Sequence, residues 1–331
     1  MNSPSTIIVT GGAGFIGSTL VKRLAQKGVR VRVIDNLWRG SLDNLKLPDG
    51  SYAIDIEKDF FLADLTDYSK CLELIRDAEL VFHLADVVGG VHFAFSNQEF
   101  IFRQNIIINS NVLSASIFNK IENYIYVGTA CSYPKHLQMQ DGFTALTEDQ
   151  TYPAEPESSY GWSKLMGEYE ADLAQKSGKI NVGLLRLHNV YGPGASYEPS
   201  RSQVLPALIR KAILFPDEPF IVWGSGNQYR DFIYIDDVVN ALVLVASKGL
   251  NQGLIQVGSE IPTTIREASK LIVDISHKPI EIHFDLSKPE GDRGRIAICD
   301  RARSILGWTP KVDIREGLQY TYDWIKEKMG K

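Results

Sequence analysis

Short apolar runs alternate with stretches of helical spacing through the first half of the chain. Residues 6–10, 29–34, 79–84 and 124–127 are compact and rich in β-branched and aromatic side chains, which predicts strands. Between them, residues 15–27, 67–77 and 97–119 repeat apolar positions at the helical period, and residues 179–187 and 254–257 read as further strands. Strand–helix alternation of this kind implies right-handed crossover units and an α/β doubly wound parallel sheet with helices on both faces. After Asn189 the texture changes. Residues 191–201 (YGPGASYEPSR) are crowded with Gly, Pro and Ser, the mark of a long functional loop. The pattern divides the chain into a larger domain, 1–190 plus 232–258, and a smaller C-terminal α+β lobe, 191–231 plus 259–331, with residues 232–257 returning to the main sheet.

Composition adds boundaries to this picture. The chain has 331 residues, 44% of them hydrophobic and 23% charged, enough for a sizeable core, and its net charge of -5 gives no electrostatic footprint for nucleic acid or an anionic membrane. Phosphate groups would therefore be held by a few placed cations, helix N-termini and backbone amides. Cys71, Cys131 and Cys299 lie far apart with no CxxC spacing, so neither a metal site nor a disulfide framework is expected. The N-terminus lacks the pattern of a signal peptide, and no stretch reaches the ~18 apolar residues of a membrane span. A reduced cytoplasm is the expected compartment.

Thr10-Gly11-Gly12-Ala13-Gly14-Phe15-Ile16-Gly17 closes the first strand and opens the first helix. Glycines are needed where backbone turns tightly and approaches a pyrophosphate, while the helix N-terminus supplies amides and a positive dipole end. The context is that of a Rossmann-type dinucleotide site. Asp35 and Asn36 follow the second strand, about 20 residues on, where a carboxylate binds the adenosine ribose and repels a 2′-phosphate. NAD is the expected cofactor. Asp64, Leu65, Leu84 and Ala85 end neighbouring strand segments and join the expected cofactor contacts; Asp64 equally suits the cap of the helix that follows.

Tyr160 and Lys164 stand one helical turn apart in a segment predicted as a helix over Ser159–Lys176, so phenol and ammonium share a face. A phenol is a poor base at neutral pH, and a neighbouring cation lowers its pKa. Thr129 ends the strand that begins at Asn123, at the carboxyl edge of the predicted sheet, and can hydrogen-bond a reacting hydroxyl. Together these groups suit hydride transfer.

These motifs resemble the extended short-chain dehydrogenase/reductases that modify nucleotide sugars, and the resemblance covers nearly the whole chain. Within that group the chain looks most like GDP-mannose 3,5-epimerases, on Ala130-Cys131-Ser132-Tyr133-Pro134, Pro153-Ala154-Glu155-Pro156, His188-Asn189-Val190-Tyr191-Gly192-Pro193, Gln228-Tyr229-Arg230-Asp231-Phe232, Glu290-Gly291-Asp292-Arg293-Gly294-Arg295 and Leu306-Gly307-Trp308. The resemblance implies an NAD-dependent epimerase acting on a nucleotide-diphosphate sugar through transient oxidation at C4. Tyr160, Lys164 and Thr129 would handle the hydroxyl, and Cys131 would exchange a proton beside the resulting ketone. It implies substrate contacts from Gly89, Gly90, Asn189, Gln203, Arg230 and Arg293, and a homodimer through two helices that the pattern leaves apolar on more than one face. One residue departs from the pattern. Gln203 stands where those epimerases carry a Lys, and an amide exchanges no protons at neutral pH. Two-centre epimerisation, one-centre epimerisation, UDP-sugar C4 epimerisation and simple C4 oxidation stay open. A non-catalytic NAD-binding sensor would be expected to lack Tyr160 or Lys164.

Overall fold

The computed structural model describes residues 6–139, 142–199, 201–288, 291 and 293–331, without the side chains of residues 91, 92 and 94. Ser200, Glu290 and Asp292, named in the motifs above, lie outside the described residues. In chain order the elements are β1 (Thr6–Thr10), α1 (Phe15–Gln26), β2 (Arg30–Asp35), α2 (Ile56–Asp59), β3 (Phe60–Leu62), α3 (Tyr68–Leu74), β4 (Leu80–His83), α4 (Val91–Ser96), α5 (Gln98–Phe118), β5 (Asn123–Thr129), β6 (Thr144–Leu146) and α6 (Ser159–Lys176). They continue with β7 (Asn181–Leu187), β8 (Asn189–Tyr191), α7 (Val204–Leu214), β9 (Ile221–Trp223), β10 (Tyr229–Tyr234), α8 (Ile235–Lys248), β11 (Leu254–Val257), β12 (Pro262–Thr264), α9 (Ile265–Ser276), β13 (His283–Asp285), β14 (Arg295–Ala297) and α10 (Ile314–Lys328).

Seven parallel strands form the main sheet in the order β11-β7-β5-β4-β1-β2-β3. Its central strands β4, β5 and β7 are buried on both faces, so they read as apolar runs without strict alternation. Successive residues of β1 enter opposite cores: Val9 packs with Val31 and Val33, and Ile8 with Ile34 and Val81. The winding reverses between β1 and β4. That is the switch point where the loops after adjacent strands part and leave a crevice at the carboxyl edge.

The expected elements are present, with two differences in the lobe. β10 pairs with β8 and β12 in a separate three-stranded sheet, so the return to the main sheet is made by β11 alone. β6, within the span expected of the larger domain, pairs in parallel with β14. Both differences have one cause: short strands choose partners through long-range packing, which local pattern does not encode. Among the described residues no helix is long and apolar enough to cross a membrane.

Candidate active site

A cleft of about 2820 Å³ runs along the carboxyl edge of the main sheet, between it and the lobe. Its floor is the turn after β1. A Cβ on Gly17 would lie 2.2 Å from the Gly11 carbonyl oxygen, so only glycine lets α1 start this close to the turn. The Gly14 position that caps α1 offers no side chain, which leaves the first amides of α1 aimed at the cleft beside Gly11, Phe15 and Ile16. Asp35 closes this cradle from β2. Its Oδ2 accepts from the Ala13 amide at 2.9 Å and its Oδ1 from the Leu37 amide at 2.8 Å, while burial pushes its pKa up. Asn36, Asp64, Leu65, Leu84 and Ala85 also line the cleft. Asp64 accepts from the Thr66 amide in its own turn; the cap of α3 is Asp67. A cradle that a single Cβ would fill, joined to an uncapped helix N-terminus and a buried carboxylate, fits a dinucleotide.

The second wall begins at β5. Thr129 Oγ1 accepts from the Cys131 amide at 3.3 Å, which fixes the turn over residues 130–132 and leaves its own O–H able to donate. Ser158 caps α6, accepting from the Gly161 amide at 3.2 Å. A Cβ on Gly161 would sit 2.2 Å from the Cys131 carbonyl oxygen, so that glycine lets α6 dock against the turn. Tyr160, Lys164, Thr129 and Cys131 therefore face one space, which Gly89, Gly90, Asn189, Gln203 and Arg230 also line. Among the described residues the Asn189 Oδ1 is buried with no hydrogen-bond partner, as expected of a group that waits for a ligand.

Three further residues enter the site that were not among the expected site residues. Asp86, just past β4, accepts from the Tyr160 hydroxyl at 3.0 Å, and the same Oδ2 lies 3.6 Å from Lys164 Nζ. Its position at a strand's carboxyl edge was the available signal. Arg39 donates to the Val88 carbonyl at 2.6 Å and to the Arg201 carbonyl at 2.8 Å, tying the loop before α4 to the lobe. Arg295 Nη2 stands 3.4 Å from Cys131 Sγ.

Asp86 alters the electrostatics expected for the pair. Burial, and after it the Asp86 carboxylate, pushes the Tyr160 phenol well above its ordinary pKa, opposite to the direction expected of Lys164 alone. The reason is local: the Lys164 ammonium is 2% exposed, already paired with Asp86 and packed 4.7 Å over the Tyr126 ring. The arginines also sort differently from expectation. Arg293 is exposed and is absent from the cleft lining among the described residues, whereas the buried Arg295 borders the cleft beside Arg230. Asp231, next to Arg230 in the chain, accepts from the Ala297 amide at 2.8 Å and the Ser259 hydroxyl at 2.7 Å, pinning β10 to β14.

A buried ladder joins the two walls from beneath. The Thr10 hydroxyl meets His83 Nδ1 at 2.8 Å and also accepts from the Ala85 amide at 3.3 Å. His83 Nε2 donates to Asn109 at 3.0 Å, whose amide reaches the Tyr126 hydroxyl at 3.1 Å, which donates to the Lys164 carbonyl at 3.2 Å. Each group has one role only if the imidazole is neutral, and burial, then Lys164, pushes the His83 pKa down to about 3. Cys71 and Cys299 are buried away from the cleft, and burial pushes the Cys71 thiol up to about 12.

The family model described as "NAD dependent epimerase/dehydratase family" matches residues 7–258. GDP-mannose 3,5-epimerase of Arabidopsis thaliana is 32% identical over 325 residues, covering 98% of this chain and 83% of the relative. Among solved structures, UDP-glucose 4-epimerase of Thermotoga maritima with UDP-glucose is similar with a TM-score of 0.86 and 29% identity, covering 98% of this chain and 99% of that one. The Thermus thermophilus UDP-glucose 4-epimerase complex with NAD is similar with a TM-score of 0.82 and 25% identity, covering 97% and 99%.

Proposed function

The chain belongs to the NAD dependent epimerase/dehydratase family, and from that premise we propose that it isomerises a nucleotide-diphosphate hexose, a GDP-hexose foremost, by transient oxidation of a sugar hydroxyl. The observation that carries this reading is the convergence of Thr129, Cys131, Tyr160 and Lys164 on one cleft opposite a glycine cradle. When bound, NAD supplies the acceptor for the hydride of the sugar carbon and returns it. The other steps belong to the protein. Gly11, Gly14, Phe15, Ile16, Gly17 and Asp35 hold the dinucleotide, with Asn36, Asp64, Leu65, Leu84 and Ala85 beside them. The Thr129 hydroxyl orients the reacting hydroxyl and Tyr160 Oη takes its proton. Cys131 Sγ then removes or returns a proton at a carbon beside the ketone, with Arg295 Nη2 3.4 Å away. Asn189 and Arg230 suit the diphosphate, Arg230 by its planar fork. Gln203, at the N-terminus of α7, is suited to hold a sugar hydroxyl.

A second reading, C4 epimerisation of a UDP-hexose, is favoured by Gln203 in the position expected of a proton-exchanging Lys. Incubation with GDP-mannose, and separately with UDP-glucose, in heavy water tests both. Deuterium recovered beside C4 of the sugar is the expected result. Inversion at C4 without deuterium selects the second reading, and NADH accumulating without any isomer sinks both. The molecule is also proposed to act as a homodimer through α5 and α6, which expose Phe102, Tyr169 and Leu173.

A further inference from the structure

The Tyr160 hydroxyl already has a partner, and that partner is neither a substrate nor a cation. Asp86 Oδ2 accepts the phenol proton at 3.0 Å and sits 3.6 Å from Lys164 Nζ. Around this pair stand Arg39 from the segment after β2, Tyr126 on β5 and Cys131 on the turn after β5. A phenol that donates to a carboxylate keeps its oxygen lone pairs for another donor. A carboxylate beside it also opposes a standing tyrosinate, because two like charges would share one desolvated site. Lys164 supplies the counter-charge that such a carboxylate needs when buried.

We propose that Asp86 is the proton acceptor for Tyr160, so that the phenol works as a relay between the substrate hydroxyl and this carboxylate. The proposal rests on the reading that Tyr160 takes the hydroxyl proton. In the forward step the substrate O–H bond breaks and its proton joins Tyr160 Oη. The Tyr160 O–H bond breaks and its proton joins Asp86 Oδ2. The electron pair of the neighbouring C–H bond leaves as the hydride that the family's cofactor takes up. Tyr160 ends as it began, a neutral phenol, and reduction of the ketone reverses every transfer. Burial and the nearby carboxylate, which hold the phenol neutral, then help the step instead of opposing it.

Ultraviolet titration of the full chain, compared with Tyr160→Phe, isolates the tyrosinate band of Tyr160. Asp86→Asn and Asp86→Ala are expected to bring that band in at lower pH. Both are expected to lower kcat on GDP-mannose at neutral pH by about 100-fold, the scale of a lost acid–base group, with the deficit shrinking as rising pH ionises the phenol directly. Asp86→Glu is expected to recover part of the loss. Asp86→Asn keeps a hydrogen-bond acceptor but cannot take the proton, so full turnover in that variant reduces Asp86 to a positioning group and overturns the relay. A Tyr160 band that does not move, or Asp86→Ala turnover at or above the parent enzyme, overturns it as well. Unchanged turnover in Tyr160→Phe would instead remove the reading on which the relay stands.

Discussion

The two walls of the cleft are built by opposite means. The dinucleotide wall is made of backbone contributed by neighbours in sequence: one turn, the first amides of α1, and a carboxylate that ends the next strand. The reaction wall is made of side chains from separate segments, with Asp86 after β4, Thr129 and Cys131 after β5, Tyr160 and Lys164 on α6, and Arg295 on β14. A wall of backbone is intolerant of added atoms and indifferent to most side-chain chemistry. A wall of side chains is the reverse: its shape survives substitution while its chemistry does not. Variants that separate these two sensitivities test the comparison directly.

The largest effect is expected from the reaction wall. Tyr160→Phe removes one oxygen and its proton transfer, so kcat should fall by about 10²–10⁴-fold while the unfolding midpoint changes little. A variant that unfolds instead would show that the reaction wall also carries the architecture. Next comes the ladder that joins the walls. In the unfolded chain His83 protonates near 6.5, and in the fold only near about 3, so the unfolded state binds more protons between those values. Stability should therefore fall as pH drops from about 6.5 toward 3, at roughly 1.4 kcal/mol per pH unit from this group. His83→Asn should be less stable at neutral pH yet show a flatter slope in denaturant titrations between pH 7 and pH 5; an unchanged slope would remove His83 as its source. The smallest effect belongs to the dinucleotide wall. Gly17→Ala puts a Cβ against the Gly11 carbonyl, which should cost about 1–3 kcal/mol of stability and weaken NAD binding measured by calorimetry. Unimpaired binding in that variant would break the view that backbone proximity builds this wall.

Legibility in the sequence follows the same division. The glycine turn, Asp35, the strand–helix order and the Tyr160–Lys164 spacing were readable because each depends on residues a few positions apart. Element ends shifted by a residue or more, as where the expected helix over 67–77 became Tyr68–Leu74 with Asp67 as its cap. The substrate side was less readable. Arg293 looked as suited to the diphosphate as Arg230, yet it is the buried Arg295 that lines the cleft, because the pairing of β14 with β6 decides which of two nearby arginines turns inward. Asp86 gave only its place just past a strand, since nothing local distinguishes a carboxylate that meets a phenol from one that meets water.

The sequence by itself thus determined the class of sheet, the glycine turn with Asp35 beside it and the placing of Tyr160 and Lys164 one turn apart on a helix, because these rest on local geometry and fixed periods. Only the tertiary structure decided the electrostatic state of those groups. It brought the Asp86 carboxylate to Tyr160 and Lys164 at once, placed a guanidinium beside Cys131, and held His83 neutral beneath them. Charges interact through space in proportion to proximity and burial, and neither is a property of the chain until it folds.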